Sequence, residues 1–188
     1  MAVVSIVLSL WLPILLSSVG VFVLSSLIHM ISPWHKGDYA AVPDQDRVMD
    51  TLRSLSIPPG DYMIPRPASR ADMSSPEFRD KVKKGPNWIV TVMRENGSMS
   101  GALIGWFIYT LAVSVITGIV AMAGASPDFH PHRIFHFALL TAFTGYAVAL
   151  WQMSIWYHRK WSTTVKATVD GVIYAVATAA IFAHMWPM

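Results

Sequence analysis

Apolar and polar positions divide this chain into four long uncharged stretches and one polar insertion. Residues 1 to 35 contain no Lys, Arg, Asp or Glu, and the first 28 are apolar apart from scattered serines. Residues 96 to 127, 134 to 158 and 171 to 188 are likewise free of formal charge. A helix needs about 20 apolar residues to cross the hydrocarbon of a bilayer. The pattern predicts spans at 3–28, 101–123, 136–157 and 167–186. The chain then divides into a first transmembrane helix (1–30), a polar segment (31–97) and a three-helix transmembrane region (98–188). The expected fold class is an all-α membrane protein of four helices, with a small α/β-like insertion between the first two.

Composition agrees with that division. Of 188 residues, 54% are hydrophobic and only 13% charged, roughly half the usual charged share. Mean hydropathy is +0.45. A disordered chain, a nucleic-acid-binding tail and an ordinary soluble globule are excluded. With no cysteine, thiolate metal sites, iron–sulfur clusters and cysteine nucleophiles are excluded too. A signal peptide has a basic start and an apolar core of about 7–15 residues. Nothing before Lys36 is basic and the apolar run is far longer, so the first span reads as an uncleaved anchor.

Ten of the fourteen Lys and Arg residues lie between the first two spans, and Arg159, Lys160 and Lys166 surround the third connection. Basic residues stay in the cytoplasm. Residues 36–95 are therefore expected inside and both termini outside, in the plasma (inner) membrane of a bacterium. The tryptophans mostly fall near span ends, as an aromatic belt does.

Within the insertion, Pro43-Asp44 followed by Val48, Met49, Leu52 and Leu55 predicts a short amphipathic helix. Asp61 to Ile64 reads as an extended run. Ser74-Ser75-Pro76-Glu77 starts a second helix with a Ser cap and a first-turn Pro. Trp88 to Met93 has high β propensity. Lys81, Lys83 and Lys84 follow positive-inside bias, with contact to anionic headgroups as the alternative. Asn96-Gly97-Ser98 matches a glycosylation sequon, but on the expected cytoplasmic side it reads as a turn.

The last span holds the most informative pattern. Uncharged sequence from Gly171 to Trp186 spans 16 residues, about 24 Å at 1.5 Å per residue, against about 30 Å of hydrocarbon. Asp170 is thereby drawn to the membrane boundary or inside it. Thr163, Lys166, Asp170, Tyr174 and Thr178 form one stripe at i+3 and i+4 steps. Asp170 is expected to pair with Lys166 and to accept from Tyr174. A carboxylate at membrane depth marks an ion or proton pathway by default; an intrahelical pair tethering the helix is the plainer alternative. A second stripe of small residues includes Gly171, Ala175 and Ala179, and Gly101 and Gly105 begin the second span in the same style. Small residues let helices approach closely. Packing within the bundle is the expected use, and a face for another subunit the alternative.

Seven histidines gather near the span ends. His130, His132 and His136 lie outside with His184, whereas His29, His35 and His158 lie inside. An outer metal set of His130, His132 and His136, or an outer haem between His136 and His184, competes with plain interfacial histidine. No cofactor is expected.

Trp34-His35-Lys36-Gly37-Asp38-Tyr39, Pro58 to Pro65, Ser74 to Pro86, and Trp161-Ser162 with Lys166, Asp170-Gly171 and Ile173-Tyr174 together resemble a family of uncharacterised small bacterial inner-membrane proteins. That resemblance implies a membrane and a bacterial origin, and no catalytic residues. Three functions remain open. The first is a non-enzymatic accessory or assembly subunit, with the bilayer and another membrane protein as partners and no nucleic acid. The second is a small proton- or ion-coupled transporter using Asp170, against which the lack of repeats and of broken helices weighs. The third is a membrane redox or metal protein using the outer histidines.

Overall fold

The computed structural model describes residues 3–94, 98–124 and 131–187. The chain forms two compact units. One comprises the residues up to Ala40 and from Met99 onward, and the other Ala41–Ser98.

The first unit is a four-helix bundle. Its first arm is α1 (Val3–Ser9), then α2 (Trp11–Ser26), continued by one π-helical turn at Leu27–Ile31. The step between α1 and α2 falls at Leu10, three residues before Pro13. A proline has no N–H to give the carbonyl one turn back, and its ring crowds that carbonyl. α6 (Met99–Gly124) is the second arm, after the elements of the other unit described below. The third is α7 (Pro131–Tyr146), a 3-10 turn (Val148–Leu150) and α8 (Trp151–Ile155). The fourth is α9 (Trp161–His184). All four arms are long and apolar enough to cross a membrane, which makes this a multi-pass membrane protein.

Helix neighbours run α2–α6–α7–α9 and back to α2, a closed square. One core layer holds Leu10, Ile14, Ala121, Ile134, Ala138, Ala179 and Phe182. The other holds Val21, Val113, Ala142, Tyr146, Tyr174 and Ala175. Between bilayer and bundle there is no hydrophobic gain from helix association, so close packing and hydrogen bonds must supply it. Ser17 Oγ donates to Ser114 Oγ at 3.0 Å, and Trp106 Nε1 donates to Ser25 Oγ at 2.7 Å. Both bonds tie α2 to α6. The Ser154 and Thr164 hydroxyls, 2.7 Å apart, tie α8 to α9.

The third span departs from expectation. It is broken at Ala147, whose φ of −125° and ψ of −46° leave the helix. The Gly145 carbonyl, past which the ladder fails, accepts from the Tyr109 hydroxyl. Irregular backbone at membrane depth is tolerated where a neighbour satisfies it. The N-cap position of α9 is Lys160, and no side chain bonds there.

The second unit contains α3 (Gln45–Ser54), β1 (Gly60–Ile64), α4 (Arg70–Met73), α5 (Pro76–Lys84) and β2 (Trp88–Val92). β1 and β2 pair antiparallel with Tyr62 opposite Val90. Ser75 caps α5, accepting from Phe78 N–H at 3.1 Å, and Pro76 follows in the first turn. Helix, strand, helix and strand thus follow the expected order, with the added short turn α4.

Candidate functional site

Four ionisable side chains meet where the chain leaves α2 and where α9 begins. After the π-helical turn, Ser32 closes onto Leu27 O and its hydroxyl donates to Ile28 O at 2.8 Å. Two tight turns follow, from Lys36 N–H to Pro33 O and from Asp38 N–H to His35 O. They fold the segment back against α9 and present His35 to it. His35 Nδ1 lies 2.7 Å from Asp38 Oδ2 and its Nε2 lies 2.8 Å from Asp170 Oδ2. Lys166 Nζ donates to Asp38 Oδ1 at 2.9 Å and to Trp34 O at 2.7 Å, with the Trp34 ring 5.6 Å away.

The sequence placed Asp170 against Lys166, and this pairing is overturned. A helical side chain points back toward the helix N-terminus. Lys166 therefore extends away from Asp170, toward Asp38 and the Trp34 carbonyl, and the imidazole takes the place beside Asp170. Tyr174 does not donate to Asp170: its ring packs against Tyr146 and Trp106, and its hydroxyl has no hydrogen-bond partner.

Charge and proton counts close neatly. Each His35 nitrogen faces a carboxylate oxygen, and each such bond needs one proton. His35, Asp38 and Asp170 together hold two protons, and with the Lys166 ammonium the four groups sum to zero. That neutrality suits a boundary where an unpaired charge is costly. Asp170 is 3% exposed.

Burial raises the Asp38 carboxyl, but the hydrogen bonds and charges of His35 and Lys166 outweigh it and hold it below the ordinary 3.8. A carboxyl lowered on folding stabilises fully above its unfolded value and loses that contribution as pH falls through the folded one. Lys166→Met is expected to cost about 1.5–3 kcal/mol, the usual worth of a charge-assisted bond. The gap from wild type should stay constant from pH 7 to about 4 and narrow below, as the Asp38 bond is lost and the Trp34 carbonyl bond remains, in denaturation curves of the purified protein.

His29, on the π-helical turn, stacks on His35 with centroids 4.2 Å apart and planes inclined by 21°. Donor atoms of His29, His35 and Asp170 all lie within 4.8 Å of one another. Among the described residues this is the single group of three such donors. Sequence reasoning missed it because His29 and His35 read as interfacial histidines. The available signal was two ionisable residues, His35 and Asp38, directly after the Ser32-Pro33 stop.

Among the described residues, the outer histidines form no such set. His136 Nδ1 bonds the His132 carbonyl at 2.7 Å, a turn of its own helix. His184 ends α9. His130 lies outside the described residues, as do Asn96 and Gly97.

From Asp170 a polar strip enters the bundle. Asp170 Oδ1 and the hydroxyls of Tyr174 and Thr117 are buried without hydrogen-bond partners, and the buried Tyr146 hydroxyl lies within reach of Ser114 and Thr178. Asp170, Tyr174 and Thr178 are successive turns of α9, so the strip reaches about 12 Å inward. Buried polar groups are ordinarily paired, so a cluster of unpaired ones calls for a functional reason.

The small residues separate into two uses. Gly171, Ala175 and Ala179 are buried within the bundle. A Cβ on Gly171 would stand 2.7 Å from Ala147 Cβ, at the break in the third span. Gly105 has nothing within 4 Å of a Cβ position, and Gly101 is exposed. α6 turns Thr110, Val113, Ser114 and Thr117 inward instead, leaving 101 and 105 on the opposite face. Among the described residues, Gly105 does not have the expected packing role.

Compared with protein-family models, curated proteins and solved structures, the chain matches none of them.

Proposed function

We propose that the protein is a small cation transporter of the bacterial plasma membrane, with Asp170 as its cation-binding carboxylate. One observation carries this reading: a buried carboxylate oxygen of Asp170 stands unpaired at the mouth of a strip of buried hydroxyls inside a membrane bundle. An ionisable residue within a membrane-spanning segment faces an interior path in most such proteins. Two further features support it. The third span is broken beside Gly171, and His29 rides a π-helical turn. Broken and π-helical turns cluster where membrane proteins bind and move ions. The Lys and Arg distribution favours a cytoplasmic position for the site.

Proteoliposomes holding an entrapped cation-sensitive dye test the proposal, with gradients of H⁺, Na⁺, Mn²⁺ and Zn²⁺ applied in turn. The wild-type protein is expected to dissipate at least one gradient, and Asp170→Asn to slow that flux at least tenfold. Equal flux in both proteins, or none in the wild type for any cation, refutes it.

A second reading, the accessory or assembly subunit, is favoured by the Ala41–Ser98 unit. There α3 and the hairpin leave an open apolar hollow of about 520 Å³, lined by Met49, Leu52, Ile57, Tyr62, Ile64 and Trp88 among others. A stoichiometric membrane protein retained through purification in mild detergent supports it, and a solitary protein counts against it. The small-residue stripe of α9 no longer favours this reading, since the bundle itself uses it.

A further inference from the structure

We infer that His29, His35 and Asp170 form a binding site for one divalent first-row transition ion, with Zn²⁺ as the best fit. This inference rests on the cation reading above and names the cation class.

The donor set is two imidazoles and one carboxylate, which suits Zn²⁺ and its neighbours and not the oxygen-seeking Mg²⁺ or Ca²⁺. Ligand atoms sharing a tetrahedral ion at 2.0–2.1 Å stand roughly 3.3 Å apart. The three donors already lie within 4.8 Å of one another, so shifts of about an ångström close the site. Three protein ligands leave a fourth position open for water or a cargo ligand, the arrangement of sites that exchange their ion or do chemistry.

Two independent features point to the same ion. Asp170 Oδ1 is a buried carboxylate oxygen without a partner, on a side chain only 4% exposed. His35 also carries the support that metal-binding imidazoles carry. A ligating histidine usually donates its other ring N–H to a carboxylate, which fixes the tautomer and the ring. Asp38 sits on Nδ1 at 2.7 Å, so Nε2 is the nitrogen turned toward Asp170. Lys166 in turn fixes Asp38 at 2.9 Å. The proton now shared by Nε2 and Asp170 is the one the ion displaces. With neutral imidazoles, two carboxylates, Lys166 and a divalent ion, the cluster would carry a single positive charge. His29 is the exposed member and stands where an ion would enter.

Equilibrium binding of Zn²⁺ to the full-length purified protein, against a competing chromophoric chelator, tests the site. Wild type is expected to bind one ion, and His29→Ala to weaken it at least tenfold while leaving the thermal midpoint within a few degrees. Asp38→Asn should weaken binding about 10- to 100-fold without removing a ligand. A double replacement, His132→Ala with His136→Ala, should leave that binding unchanged. Wild-type protein that binds no Zn²⁺ overturns the inference, as does binding that survives His29→Ala and disappears in the His132, His136 double variant. Asp170-dependent flux of H⁺ or Na⁺ without Zn²⁺ binding would remove this inference and leave the transport reading standing. Binding without flux of any cation would do the reverse.

Discussion

Replacing His35 with leucine is expected to destabilise the bundle by about 3–5 kcal/mol, the range for removing one member of a buried ionic set. The imidazole serves two carboxylates at once, Asp38 and Asp170. Leucine fills much of the same space but donates to neither. Asp38 keeps Lys166, whereas Asp170, on a side chain only 4% exposed, keeps nothing. Most of the loss should therefore be traceable to Asp170. His35→Gln, with one amide to donate, should fall between the two. Urea or dodecyl-sulfate titration of the purified protein in mixed micelles reads both values.

Gly171→Ala is the second change with a large expected effect. An added Cβ meets Ala147 Cβ at 2.7 Å and the Ala147 backbone at 3.3 Å. The nearest atoms belong to a short side chain and to backbone, and neither can swing away. Ala147 is fully buried. Overpacking of this kind costs about 1–3 kcal/mol, although alanine favours a helix over glycine by about 1 kcal/mol. The displaced residue would be the neighbour of Asp170, so cation flux or binding should fall further than stability alone accounts for. Gly105→Ala is the matched control. With nothing within 4 Å of its Cβ position, only the helix preference acts, and stability should hold or rise slightly. Equal losses at both glycines would contradict the packing described.

The four spans were legible because a bilayer demands length and apolarity and little else, and both are written along the chain. The hairpin of the insertion was legible for a similar reason: Asp61 to Ile64 and Trp88 to Val92 are short β-prone runs, each with a proline close before it. The stripe of Lys166, Asp170 and Tyr174 was legible as a stripe. Its partners were not. Periodicity reports which side chains share a helix face, and Lys166 with Asp170 satisfies that rule. It does not report that a segment 135 residues away in sequence folds back at Ser32 and inserts an imidazole. Side-chain direction along the helix then decided the competition in favour of His35. The break at Ala147 was also hidden. No proline marks it, and it sits beside two close approaches, Gly171 against Ala147 and Gly145 against Val113, which exist only once the helices have packed.

Asp170 is held by His35, at the end of the neighbouring first arm, rather than by Lys166 within its own helix. A double-mutant cycle measures this most directly, with His35→Leu, Asp170→Leu and the pair together. A hydrophobic replacement of both partners restores much of what either single change loses. The structure predicts a coupling of about 2–3 kcal/mol between positions 35 and 170, and near-additivity between 166 and 170. Additivity within about 0.5 kcal/mol at 35 and 170, with strong coupling at 166 and 170, would contradict it.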